Sequence, residues 1–173
     1  KGGIIGAGLK EGDRLVRAIL TSGKNEVLIS TARGQTIRFS EEHVRSMGRP
    51  ASGVTGIRFK HDDDYVADAV PADDTATLLT VCAKGYGKRS RCDEYPRKGR
   101  GTQGVQNITG LERNGLVVAA RVVRPDDDLI LMSKNGVVLR TSAETVRETG
   151  RGAMGVTLMN LDEGDEIVAA VVV

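Results

Sequence analysis

The side chains whose type and spacing suggest chemistry are basic. They are Arg33, Arg38, Arg45 and Arg49, then Lys84, Lys88, Arg89, Arg91, Arg97, Lys98 and Arg100, then Lys134, Arg140, Arg147 and Arg151. Two columns among them, Arg38/Arg89/Arg140 and Arg49/Arg100/Arg151, recur every 51 residues. Arginine outnumbers lysine in these windows, and its planar fork donates two hydrogen bonds at once to a phosphate. Glycines stand beside them at Gly48, Gly99, Gly101, Gly150 and Gly152, which leaves backbone N–H groups open to an anion. These side chains are therefore the candidate contacts to a polyanion. Base reading is not expected. Single-strand binders need aromatic platforms for stacking, and three Tyr, two Phe and no Trp are too few. Duplex contacted through its backbone suits the residues better.

Other chemistry fails on spacing. Gly99-Arg100-Gly101-Thr102-Gln103-Gly104 and Gly150-Arg151-Gly152-Ala153-Met154-Gly155 both match GxGxxG. The residues after each read as strand, so the helix N-terminus that holds a pyrophosphate is missing. His43 and His61, the only histidines, have no Cys or carboxylate partner at zinc spacing and read as surface residues. The triplets Asp62-Asp63-Asp64 and Asp126-Asp127-Asp128 lack the ligand pattern of an EF-hand and read as solubilising turns. Cys82 falls on a strand and is expected in the core. Cys92 lies near Arg89 and Arg91, whose charges would lower its pKa. No catalytic set and no metal site emerges.

The elements that must position these residues follow from a repeat. Gly34, Gly85 and Gly136 keep the same period of 51, as do Gly48, Gly99 and Gly150, and Gly53, Gly104 and Gly155. Repeats are placed at about 21–71, 72–122 and 123–173. A slipped copy at 1–20, where Gly12-Asp13-Arg14-Leu15-Val16 echoes Gly164-Asp165-Glu166-Ile167-Val168, implies that the chain begins inside a preceding repeat and is a piece of a longer protein. Within a repeat the apolar period is two. Val27 to Thr31 and Thr36 to Phe39 flank a tight turn with Gly34 supplying positive φ. A polar stretch follows that can make one helical turn capped by Ser40 or Ser142. Two further strands are expected at Val54 to Phe59 and Tyr65 to Val70. Four short strands per unit predict an all-β array of propeller-like antiparallel blades, each burying its faces on the next.

Composition sets the bounds. The chain of 173 residues carries 25 Lys plus Arg against 23 Asp plus Glu. The net charge of +2 separates on the repeat: residues 32–53, 83–104 and 134–155 carry +2, +5 and +2, and the remainder −7. In a blade array those windows share one rim and form a basic stripe. Two cysteines without a CxxC pattern indicate a reducing cytoplasm. The longest apolar run, Ile167 to Val173, is far short of the roughly 20 residues that span a bilayer. The competing function class is a propeller-like protein-interaction module, which should expose an apolar, charge-depleted cluster.

With period, hairpins and basic phase in place, the chain resembles the C-terminal domain of the DNA gyrase A subunit, and nearly as well that of the topoisomerase IV A subunit. The resemblance rests on Leu28-Ile29-Ser30-Thr31-Ala32-Arg33-Gly34, the stretch from Met47 to Ile57, Ala83-Lys84-Gly85-Tyr86-Gly87-Lys88-Arg89 and Gly99-Arg100-Gly101-Thr102-Gln103-Gly104-Val105. It implies a β-pinwheel, a spiral of blades that exchange strands with their neighbours and wrap duplex DNA on a basic outer rim, fixing the sign of supercoiling. The family's Gln-Arg-Arg-Gly-Gly-(Lys/Arg)-Gly box is incomplete here, with Lys1-Gly2-Gly3 at its trailing edge. The full domain has about six blades, so this chain corresponds to about half. The resemblance further implies two protein partners, the remainder of the A subunit plus the B subunit. It also implies a cytoplasmic, nucleoid-associated location, and ATP and Mg only for the whole enzyme. The active-site tyrosine belongs to another domain, so neither Tyr86 nor Tyr95 takes that role.

Overall fold

The computed structural model describes residues 2–173; Lys1, at the head of the Lys1-Gly2-Gly3 stretch, lies outside the described residues. Eleven strands and one short helix follow in order: β1 (Glu26–Thr31), β2 (Gln35–Ser40), β3 (Val66–Pro71), β4 (Thr77–Cys82), β5 (Tyr86–Arg91), β6 (Val105–Gln106), α1 (Leu111–Asn114), β7 (Val117–Val123), β8 (Asp128–Ser133), β9 (Val138–Ser142), β10 (Val156–Thr157) and β11 (Ile167–Val172). They form three antiparallel sheets ordered β3-β1-β2-β6, β10-β5-β4-β7 and β11-β8-β9. Each repeat supplies three strands to its own blade. The short fourth strand crosses to the outer edge of the blade before it.

The exchange has a fixed register. Val105 and Gln106 pair with Thr36 and Gln35, and Val156 and Thr157 pair with Gly87 and Tyr86. The expected strand at Val54 to Phe59 does not form, although Tyr65 to Val70 does, as β3. A crossing strand needs an outer strand to receive it, and among the described residues none stands opposite Val54. The same gap appears at the other end, where β9 pairs only with β8 and the third sheet has three strands. Residues 2–20, the expected remnant of an earlier blade, likewise contain no strand.

Local rules account for the rest. The hairpin glycines Gly34, Gly85 and Gly136 all have φ near +80 to +90°, the region a Cβ disfavours. The expected capped turn is a single 3₁₀ turn, with the Ser40 and Ser142 hydroxyls accepting from the N–H groups of Glu42 and Glu144. The acidic turns do more than solubilise. Asp64 Oδ1 accepts from the N–H groups of Arg33 and Tyr65, and Asp165 Oδ1 from those of Asn135 and Glu166. Each is buried and ties its blade's hairpin to the inner strand.

The apolar cores lie between blades. Leu28 and Val70 of the first repeat pack with Leu78, Cys92, Tyr95 and Ala120 of the second. Leu79 and Val81 face the other way, onto Leu129, Leu131, Ala143 and Ile167 of the third. Every residue of β4 is buried, because alternate side chains point into two different interfaces. Cys92 is fully buried, and burial pushes its thiol up to about 11. That corrects the expectation of a lowered value: desolvation outweighs the nearby arginines.

Candidate nucleic-acid interface

The crossing strands decide where the basic residues go. To reach the outer edge of the blade before it, each repeat runs a loop along that edge. Lys98 N–H donates to Arg38 O at 2.9 Å and Thr149 N–H to Arg89 O at 2.8 Å, so residues 95–106 lie along β2 and residues 147–157 along β5. The inner strands β3, β7 and β11 are at the opposite edges. These loops therefore form the outer perimeter.

The strand arginines do not face outward. Arg38, only 3% exposed, reaches into the next blade. Its Nη1 donates to Cys92 O at 3.1 Å and meets Asp74 at 2.6 Å, while Nε meets Glu26 at 3.2 Å. The hydrogen bond from Arg38 holds the Asp74 carboxyl below its usual range. Arg89, 6% exposed, donates from Nε to Val146 O of the third blade at 2.8 Å. Lys88 is completely buried. These placements correct the reading of Arg38, Lys88 and Arg89 as phosphate contacts: each guanidinium or ammonium joins two blades instead. Arg140, the third of the column, is 68% exposed and pairs with Asp128 of its own blade at 2.7 Å.

Two members of the second column are structural as well, while Arg49 is exposed. Arg100 Nη1 donates to Thr55 O at 2.6 Å, and Nε to His43 O at 3.2 Å. Arg151 Nη1 donates to Gln106 O at 2.6 Å. Thr55 and Gln106 occupy equivalent positions, so each arginine clamps the crossing segment of the repeat before it. The GxGxxG stretches that carry these arginines lead into two-residue strands rather than a helix.

The other predicted cations divide by partner. Arg33 pairs with Asp63, Arg91 with Asp93 and Arg97 with Asp74 and Glu26. Lys84 Nζ donates to Glu112 O at 2.9 Å. Arg45, Arg49, Lys98, Lys134 and Arg147 are exposed and make no ion pair among the described residues. All but Lys134, at a hairpin tip, are on the perimeter or on the equivalent loop of the first repeat. Arg58 and Lys60, exposed on that same first loop, were outside the basic windows. Their signal was present: residues 44–60 contain four basic side chains, Arg45, Arg49, Arg58 and Lys60, and no acid. Residues 95–106 likewise carry Arg97, Lys98 and Arg100 without an acid, and in residues 146–157 only Glu148 opposes Arg147 and Arg151. The turns before the inner strands, the 3₁₀ turns and the inter-blade junctions hold most of the acids, so positive charge is left uncompensated on the outer loops.

Base-stacking surfaces are few. Phe39 and Tyr95 are buried, Arg113 covers the Tyr86 ring at 4.5 Å from its centroid, and Phe59 and Tyr65 are the exposed aromatics among the described residues. Among the described residues no group of His, Cys, Asp or Glu is placed to hold a metal ion, and no helix is long and apolar enough to cross a membrane.

A strand-exchanged, three-blade array with this perimeter has known counterparts. The profile of the family described as "DNA gyrase C-terminal domain, beta-propeller" matches residues 1–22, 25–73, 76–124 and 127–173. This chain belongs to the DNA gyrase A C-terminal domain family. It is 44% identical over 170 residues to the DNA gyrase A protein of Mycolicibacterium smegmatis, a match covering 97% of this chain and 20% of that protein. It is 43% identical over 166 residues to the DNA gyrase A protein of Salmonella typhimurium, covering 96% and 19%. The chain thus spans about a fifth of the length of these gyrase A relatives. A solved DNA gyrase A C-terminal domain superposes with a TM-score of 0.91 at 30% identity, over 97% of this chain and 57% of that one. A topoisomerase IV C-terminal domain superposes at 0.90 with 23% identity, over 97% and 52%, which speaks to the shared β-pinwheel fold.

Proposed function

We propose that this domain binds duplex DNA along its outer perimeter and bends it, without reading sequence. The observation that carries the proposal is the row of exposed cations on the outer loops, Arg45, Arg49, Arg58, Lys60, Lys98 and Arg147, with almost no acid beside them. Contacts of this kind go to phosphates and position a duplex rather than specify it. The blades are arranged around their inner strands, so the perimeter is curved and a straight rod cannot touch all of it. Bending a 20–30 bp duplex by 40–90° costs on the order of 1–6 kcal/mol, which several charge-assisted phosphate contacts offset. Within a parent DNA gyrase the domain would present bent DNA to the cleavage machinery and fix the handedness of supercoiling. Its partners would be the rest of the A subunit, together with the B subunit, and ATP and Mg chemistry would lie with them.

The test is affinity for a mixed-sequence duplex over a salt series. Neutralising about six phosphates predicts log K falling against log salt with a slope of about −5. An affinity nearly independent of salt sinks the proposal and favours the protein-interaction module. Chirality is read separately: plasmid relaxed by a type I topoisomerase with the domain bound should show a shifted linking number after the protein is stripped.

A further inference from the structure

The basic side chain that the perimeter does not use is Lys88. It is fully buried on β5 of the middle blade, and its ammonium has three acceptors. Nζ donates to Ser90 Oγ at 2.5 Å, to Arg151 O at 2.6 Å and to Gly150 O at 3.3 Å. The first belongs to its own strand. The other two are consecutive carbonyls of the third repeat's outer loop. That loop is fastened on either side: Thr149 N–H donates to Arg89 O, and Val156 pairs with Gly87. Lys88 sits beneath the turn between those fastenings, and Arg147, exposed and unpaired among the described residues, stands at the loop's start. The equivalent residues in the other repeats are Ile37 and Leu139, so at this position among the described residues only this loop has a buried ammonium beneath it.

We propose that Lys88 is a positioning residue for DNA binding: in its protonated form it fixes the Arg147–Gly155 loop against β5 and sets the placement of the loop's cations without touching DNA. The proposal rests on the perimeter reading above. An ammonium donates all three of these bonds with its charge behind them, whereas an amine has two N–H donors and no charge, so loss of the proton weakens the hold on the two loop carbonyls. The longer bond, to Gly150 O, is the weaker one. The charged and titratable groups around the amine are Glu94 and Arg151, Cys82 on β4, and Tyr95 beyond Ser90. Burial pushes the Lys88 ammonium down to about 8, pushes Cys82 up to about 12 and raises Tyr95. The change of charge at Lys88 therefore precedes those of Cys82 and Tyr95 as pH rises.

The experiment compares the full chain with its Lys88→Leu variant, which installs the residue type repeat 3 carries at the equivalent position and so suits the blade framework. Backbone amide shifts and exchange of Gly150, Arg151 and Gly152 are followed without DNA on both sides of the lysine's folded-state value. Affinity for a mixed-sequence duplex is measured at fixed salt under the same conditions. Wild type should show loop amides titrating with the lysine and an affinity falling by up to about fivefold on the alkaline side, the ratio one ordinary hydrogen bond's net free energy gives. Lys88→Leu should be flat in both readouts and bind no more tightly than the alkaline wild type does. In an Arg147→Ala background the pH dependence of affinity should shrink, because the two residues act through one loop. Loop amides that do not titrate, or a pH dependence that survives Lys88→Leu, overturn the proposal. Absence of any salt-dependent duplex binding overturns the perimeter reading instead, and the DNA-free amide titration tells the two failures apart.

Discussion

Arg38, Arg89 and Arg140 share one column of the repeat and one residue type, yet occupy three environments, so replacing each by Met isolates the guanidinium from its aliphatic stem. Arg89→Met removes the charged donor of a 2.8 Å bond to Val146 O and leaves that carbonyl at a buried residue without a partner. Hydrogen bonds to charged groups contribute about 1.5–3 kcal/mol, so the expected loss is about 2 kcal/mol. Arg38→Met removes the bond to Cys92 O together with the ion pairs to Asp74 and Glu26. Breaking a fully buried pair costs about 3–5 kcal/mol. Because the Asp74 side chain is 47% exposed and can rehydrate, about 3 kcal/mol is expected. Arg140→Met loses only a surface pair, worth about 0–1 kcal/mol. The assay is urea unfolding of the full chain, with m required to stay constant so that midpoint shifts report stability. For a chain of this size each kcal/mol should also move Tm by about 2–4 °C. The DNA salt slope should be unchanged in Arg38→Met and Arg89→Met. If either variant keeps its stability but loses about 0.9 of slope, it contacts a phosphate and its assignment as an inter-blade pin is wrong.

The remaining predictions invert or extend that one. Arg49→Ala, Lys98→Ala and Arg147→Ala should each lower the salt slope by about 0.9 and leave stability within about 0.5 kcal/mol, measured by the same titrations and melts. Lys88 has a folded-state value near 8 against 10.5 for the free side chain, so the unfolded state binds more protons between the two. Global stability should therefore rise with pH across that window, by up to about 3 kcal/mol, and Lys88→Leu should lose the rise in urea midpoints taken at several pH values. Gly155→Ala places a Cβ 2.5 Å from Gly87 O, whereas the equivalent Gly53 meets nothing within 4 Å. Both carry the left-handed backbone cost of about 1–2 kcal/mol, but only Gly155→Ala should also detach β10 from β5, seen as lost amide protection at Val156. Cys82 and Cys92 are buried, with thiols pushed up to about 12 and about 11. A thiol reagent should label them at the rate of unfolding, and fast labelling of the native chain contradicts the packing.

The 51-residue period, the hairpins, the capped turns and the inner strands were all legible in the sequence, because each is set by a local rule: alternation, a glycine at positive φ, a serine before a turn. Strand exchange came only with the family resemblance and not from the local pattern, since the two-residue strands β6 and β10 acquire their pairing from a neighbouring blade, and Val54, with the same flanking glycine, makes no strand where no receiving edge is present. The site was half legible for a related reason. Repetition of a residue at one phase was read as a stripe of contacts to a long ligand. In a blade array, however, the surroundings that a repeat shares with the others are first of all its neighbours, so a repeated arginine marks an inter-blade joint wherever that neighbour is present, as it is for four of these six; Arg49 and Arg140 remain exposed. Arg38 and Arg89 reach carbonyls of the next blade, and Arg100 and Arg151 clamp the crossing segment of the one before. A polyanion asks for less: a patch of uncompensated charge, not a column. The perimeter cations obey that weaker requirement. Arg45 and Arg147 share their phase with Pro96, Lys98 with Met47 and Thr149, and Arg58 with Thr109 and Asn160. What they share in the sequence is a local excess of base over acid, and, Arg49 apart, no repeated column; it is the fold that turns this local imbalance into an outer surface, by laying each loop along the free edge of the blade before it.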